Sequence, residues 1–131
     1  MKKILFILLS SIVYCNSYSQ IIINEFSAHK GIYDQDNLES DWIEIYNNGN
    51  QAVFLGNYFL SDDINNLEKW SLPDLYLLPY QFITFYASGK NIQFNNGEEN
   101  YYHTNFKLSP SEYIILYNNN DIVDSLFINS D

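Results

Sequence analysis

From Ile21 onward, a short apolar run followed by a polar turn recurs about every ten residues, and this rhythm limits the fold more than any other feature. The runs are "IIINEF" (21–26), "WIEIY" (42–46), "AVFL" (52–55), "YFLS" (58–61), "KWSL" (69–72) and "LYLL" (75–78). "FITFYA" (82–87), "TNFKL" (104–108), "EYIILY" (112–117) and "DIVDSLFI" (121–128) complete the series. Val, Ile, Tyr and Phe dominate them, as suits a pleated, half-buried surface. Between them stand "NNG" (47–49), "GN" (56–57), "SGK" (88–90), "NNG" (95–97) and "NNND" (118–121), residues that tolerate positive φ. No window carries helical periodicity beyond a single turn near Ile64 to Glu68. Short strands at even spacing predict one antiparallel β-sandwich or barrel.

The first residues belong to a different kind of segment. In "MKKILFILLSSIVYCNSYSQ", Lys2 and Lys3 precede a mainly apolar stretch from Ile4 to Val13, and Ser17-Tyr18-Ser19 supplies small-x-small. That stretch is half of the roughly 20 residues a bilayer span requires. A cleaved export signal over residues 1–19 is expected, leaving Gln20 as N-terminus and residues 20–131 as one domain. The expected address is outside the cytoplasm: secreted, periplasmic or on the cell surface. Lipidation at Cys15 is the lesser alternative, because Tyr14 stands where a lipoprotein signal needs a small residue.

Processing sharpens the composition. The only cysteine, Cys15, leaves with the signal, so disulfides, thiolate metal sites and a cysteine nucleophile are all excluded from the mature part. Four lysines (Lys30, Lys69, Lys90, Lys107) remain against sixteen acidic residues, a formal charge of −12 compared with −10 for the whole chain. There is no arginine. Phosphate backbones are bound by lysine and arginine, so nucleic acid is the first partner to be excluded, and an anionic lipid surface is disfavoured for the same reason. Packing must then come from aromatics, of which ten Tyr, eight Phe and two Trp follow residue 19.

Alternation assigns faces. In "DWIEIYN", Ile43 and Ile45 share one face and are the expected core residues, while Trp42, Glu44 and Tyr46 share the other. In "IIINEF", Glu25 shares a face with Ile23, and Asn24 with Ile22 and Phe26. One of the two polar residues is thus expected to point inward, where it would need hydrogen bonds.

Taken in order, "INEF", "DWIEIYNNGN", "VFLGNYFLSDD", "KWSLPDLYLLPYQFITFYASGK" and "HTNFKLSPSEYIILYNNNDIVDS" resemble the lamin tail domain, over about Ile21 to Leu126. The resemblance implies an immunoglobulin-like antiparallel β-sandwich, with Tyr58 where that family usually has tryptophan. Gly56-Asn57 marks a bend, Pro73 and Pro79 mark strand ends, and Asn118 to Asp121 close a final hairpin. Relatives of this kind usually continue into further domains. This chain stops at Asp131, so a solitary module or a shortened relative is expected.

Candidate sites are few. "DQDNLESD" gathers Asp34, Asp36, Glu39 and Asp41, and calcium takes six to eight oxygens from such loops. In the helical calcium loop that an Asp-x-Asp start imitates, Glu39 would replace the turn glycine and Ile45 the bidentate glutamate. A solvated loop whose side chains cap the backbone is the preferred reading, with no cofactor expected and calcium as the exception. "SDD" (61–63) is a second acidic turn. His29, expected in a loop, and His103 are both expected to be structural, since no nucleophile elbow or zinc-ligand set accompanies them. Tyr33, Tyr76, Tyr80, Tyr101 and Tyr102 fall in or near turns, where exposed aromatics build binding surfaces and sugar platforms.

The expectation is therefore a non-catalytic exported module for binding, adhesion or spacing at a bacterial envelope, with a protein or glycan partner. An unprotected sheet edge would add self-association. The alternatives are a calcium-dependent carbohydrate- or protein-binding domain and a small carboxylate-based hydrolase.

Overall fold

The computed structural model describes residues 20–129; the expected export signal and Cys15 lie outside the described residues. Eleven strands appear among them: β1 (Ile21–Tyr33), β2 (Glu39–Asn47), β3 (Val53–Phe54), β4 (Phe59–Ser61), β5 (Trp70–Ser71) and β6 (Tyr76–Leu77). The rest are β7 (Phe82–Ala87), β8 (Ile92–Asn95), β9 (Asn100–His103), β10 (Tyr113–Tyr117) and β11 (Ile122–Phe127). One layer has the order β1-β2-β7-β9-β8 and the other β11-β10-β4-β5, with β3-β6 as a small third pair. This is an all-β, immunoglobulin-like sandwich. All pairs are antiparallel except β7 with β9, which meet in parallel at Tyr86 and His103.

The alternation of β2 becomes a core because β7 matches its register: Ile43 lies opposite Phe85, and Ile45 opposite Ile83. Ile43, Ile45 and Phe85 are fully buried against Leu60, Ile114 and Leu116 of the facing layer. Phe85 meets Trp70 edge-on at 5.5 Å across the two layers. Burying an aromatic of that size contributes about 2–3 kcal/mol. Phe54 and Tyr76 tilt against each other on the small β3-β6 pair.

Side-chain hydrogen bonds bridge both flanks of the sandwich. On one, Asp124 of β11 accepts the Ile23 N–H of β1 at 2.9 Å. On the other, Gln93 of β8 donates to the Ser71 carbonyl of β5 at 2.7 Å. Each bond occupies a backbone group on an outermost strand.

Several local expectations are corrected. Neither Asn24 nor Glu25 points inward: a register shift between Ile23 and Glu25 leaves both exposed while Ile23 and Phe26 pack toward the core. Such a bulge places two residues opposite one, so strict alternation fails there. β1 runs to Tyr33, so His29 lies within a strand and not in a loop. "TNFKL" is irregular, held to its neighbour by a single bridge between Ser88 and Lys107 and a few backbone bonds to residues 86–91. The Thr104 hydroxyl donates to the Phe106 carbonyl at 2.6 Å and folds the backbone back, although Phe106 and Leu108 are still buried. The β8–β9 hairpin around "NNG" (95–97), flanked by polar residues, was not among the expected strands. The turn near Ile64 is a pair of turns, and a 3-10 turn at Leu55–Asn57 is the helical element among the described residues.

Candidate functional site

The acidic loop is built around one carboxylate. Asp34 Oδ1 accepts the N–H groups of Asp36 and Leu38, each at 3.0 Å, and closes the turn. Asn37 takes the positive φ that the turn requires. Asp34 Oδ2 meets Lys90 Nζ at 2.5 Å, and Asp36 meets the same ammonium at 2.8 Å. The Asp34 side chain is 1 % exposed. Burial alone would raise its pKa, but Lys90 and the two backbone donors outweigh that and hold it below the ordinary carboxylate value. Lys90 is raised in turn by its hydrogen bonds to Asp34 and Asp36. The loop is thus clamped to the turn after β7, and the Tyr86 hydroxyl adds a bond to the Tyr33 carbonyl at 3.2 Å.

Beneath the loop lies a chain of three side chains that spacing in the sequence did not reveal. Ser88 Oγ is 2.8 Å from His103 Nδ1, and His103 Nε2 is 2.8 Å from Gln35 Oε1. The Gln35 oxygen can only accept, so Nε2 carries the proton and Nδ1 accepts from the serine. His103 is fully buried and stacks on Tyr86 at 4.8 Å. Its pKa is lowered by burial and by Lys90, which keeps the ring neutral.

The connectivity is that of nucleophile, base and orienting group. Three neighbouring backbone N–H groups that could serve as oxyanion donors, however, are already engaged. Gly89 N–H is bonded to the Phe106 carbonyl, Asn91 N–H to the Thr104 carbonyl, and Lys90 N–H to Ser88 Oγ itself. The three side chains pin the loop to the sheet.

A shallow pocket of about 200 Å³ opens beside this junction. Lys30, Lys90 and Lys107 line it together with Asp34, Glu39 and Asp41, so its charges balance. Asp41 Oδ1 accepts the Lys30 N–H at 2.8 Å, while Glu39 is exposed at the start of β2. Asp34 and Asp36 therefore converge on an ammonium, and Asp41 caps a backbone. Among the described residues, no three His, Cys, Asp or Glu side chains are placed to hold a metal ion together.

The remaining candidates separate by burial. In "SDD", the buried Ser61 hydroxyl donates toward the carbonyls of Asp63 and Asn66 and accepts the Asp63 N–H, and Asp62 pairs with Lys69 at 2.5 Å. His29 is exposed. Tyr33, Tyr76 and Tyr80 are exposed as expected. Tyr102 is buried against Phe85, and Tyr101 stacks on Phe94 at 4.7 Å. Gln35, Ser88 and Lys90 were not singled out from sequence. Polar residues in turns carry no periodic signal, and their partners are up to 68 positions away.

The chain was compared with known proteins. The family described as Lamin Tail Domain matches residues 16–130. No curated protein matches the chain.

Proposed function

The chain belongs to the lamin tail domain family, and from that premise we propose that it acts as a non-catalytic binding, adhesion or spacing module at a bacterial envelope. One observation carries the reading: Asp34, Asp36, Ser88 and His103 are engaged in holding the acidic loop. Asp34 and Asp36 neutralise Lys90, and Ser88, His103 and Gln35 bond to each other. The basic start and short apolar stretch of residues 2–13 support export.

Fractionation of cells expressing the full chain tests this. Processed protein beginning at Gln20, found in the envelope or medium, is the expected result. Protein that keeps Met1 and stays in the cytoplasm would overturn it. The serine–histidine pair gives a hydrolase reading its own check. Turnover of p-nitrophenyl acetate should not change on Ser88→Ala, and a loss of hydrolysis confined to that variant would establish the enzyme.

A further inference from the structure

At the end of β2 and the start of β7, the fold assembles a surface unlike the rest of the molecule. Residues 45–60 and residues 75–89 contain no charged side chain, in a chain of formal charge −10. Backbone bonds hold the two segments side by side: Asn47 N–H donates to the Gln81 carbonyl at 3.0 Å, and Tyr80 N–H to the Asn47 carbonyl at 2.9 Å. Phe82 lies opposite Tyr46 in the sheet and stacks on it at 4.3 Å and 19°. Nevertheless Phe82 remains 53 % exposed, with Tyr80 at 60 % and Leu78 at 49 %.

Two further features set this place apart. Leu78 to Gln81 form a turn closed by the Gln81 N–H on the Leu78 carbonyl at 3.2 Å, with Pro79 second and Tyr80 third at φ +60°. The third position of such a turn favours glycine or asparagine, and a bulky aromatic there is strained. Strain of this kind collects at functional sites. The ring is held at the tip, exposed, against its backbone preference. Around it, the side-chain amides of Asn48, Asn50, Gln51 and Gln81 are exposed and make no hydrogen bond among the described residues.

We propose that this surface binds a neutral saccharide, with the Tyr80 and Phe82 rings stacking on the apolar faces of sugar rings and the surrounding amides bonding to hydroxyls. Amides both donate and accept, as hydroxyls do, whereas the two segments offer an acidic sugar no cation and Glu44, on the Tyr46 face of β2, would repel it. A bilayer occupant would gain from Leu78 and the rings but would have to strip water from four unpaired amides. The proposal rests on the binding-module reading and names its ligand.

Protein isolated from cells expressing the full chain is run in native gels cast with soluble β-glucan, xyloglucan, galactomannan or polygalacturonate, and is mixed separately with phosphatidylcholine vesicles. Retardation by at least one neutral polysaccharide is expected, and little by polygalacturonate. Phe82→Ala should weaken that binding at least tenfold. Tyr80→Gly should weaken it similarly while leaving Tm unchanged or higher, because glycine relieves the positive φ; that combination separates a lost ligand contact from lost folding. No retardation in any neutral gel, undiminished binding by both variants, equal retention by polygalacturonate, or flotation with the vesicles would each overturn the proposal. Processed protein found in the envelope with no neutral saccharide bound would remove the ligand and leave the module reading standing.

Discussion

Asn47 closes β2 with its side chain turned into the sandwich, fully buried. Its amide donates to the carbonyls of Gln51, Leu77 and Leu78 at 2.8 to 3.1 Å, and its oxygen accepts the Gly49 N–H. Asn47→Ala should cost about 1–3 kcal/mol in urea unfolding, since the buried Leu77 carbonyl loses this donor. Asn47→Asp should cost more, because a carboxylate would face those same carbonyls. His103 supplies a pH signature. Its folded pKa lies below the ordinary 6.5 through burial and the Lys90 charge, so the unfolded chain binds the extra proton first. Stability is full above about pH 6.5 and falls as pH drops below it. Between pH 7 and 5.5 the unfolding free energy should decline, and His103→Gln should be less stable throughout but flat over that window. In the sequence Asn47 reads as part of a turn, although alternation places it on the face of Ile43 and Ile45. Its partners Leu77 and Leu78, 30 and 31 residues on, were not legible there.

At the scale of elements, the acidic loop is a docking device between β1–β2 and the turn after β7. Asp34→Ala, Lys90→Ala and their double variant should show a coupling of about 1–2 kcal/mol, limited because the lysine is partly open to water. Amide hydrogen exchange should speed up over residues 35–38 in either single variant. Millimolar calcium should leave Tm unchanged while Lys90 occupies both carboxylates. A rise that Asp34→Ala with Asp36→Ala removes would establish a calcium site instead. Strand β7 was expected over residues 82–87 and forms there, paired with β2 along its whole length, because its uncharged run favours the pleated surface. "TNFKL", also expected as a strand, is irregular, because the turn after β7 and the Thr104 hydroxyl satisfy its backbone. Composition gave no sign of that competition.

The whole molecule balances an aromatic core against crowded negative charge. Phe85 meets Trp70 across the two layers and Tyr102 within its own, and Phe85→Ala should cost about 3–5 kcal/mol in urea unfolding. A formal charge of −10 over the whole chain opposes compaction. Raising salt from 10 to 150 mM shortens the Debye length from about 30 to about 8 Å, and Tm should rise with it. A fall would indicate that specific ion pairs such as Lys90 with Asp34 outweigh the general repulsion.

Fold class and the core face of β2 follow from the sequence alone. They depend on the spacing of breakers and on the two-residue period of a strand, both of which are local. The ammonium shared by Asp34 and Asp36, the serine–histidine–glutamine chain, the bulge after Ile23 and the uncharged aromatic end were decided only in three dimensions. Each depends on which distant segments a two-layer sandwich brings into contact, and a polar side chain's role is set by the partner it meets there.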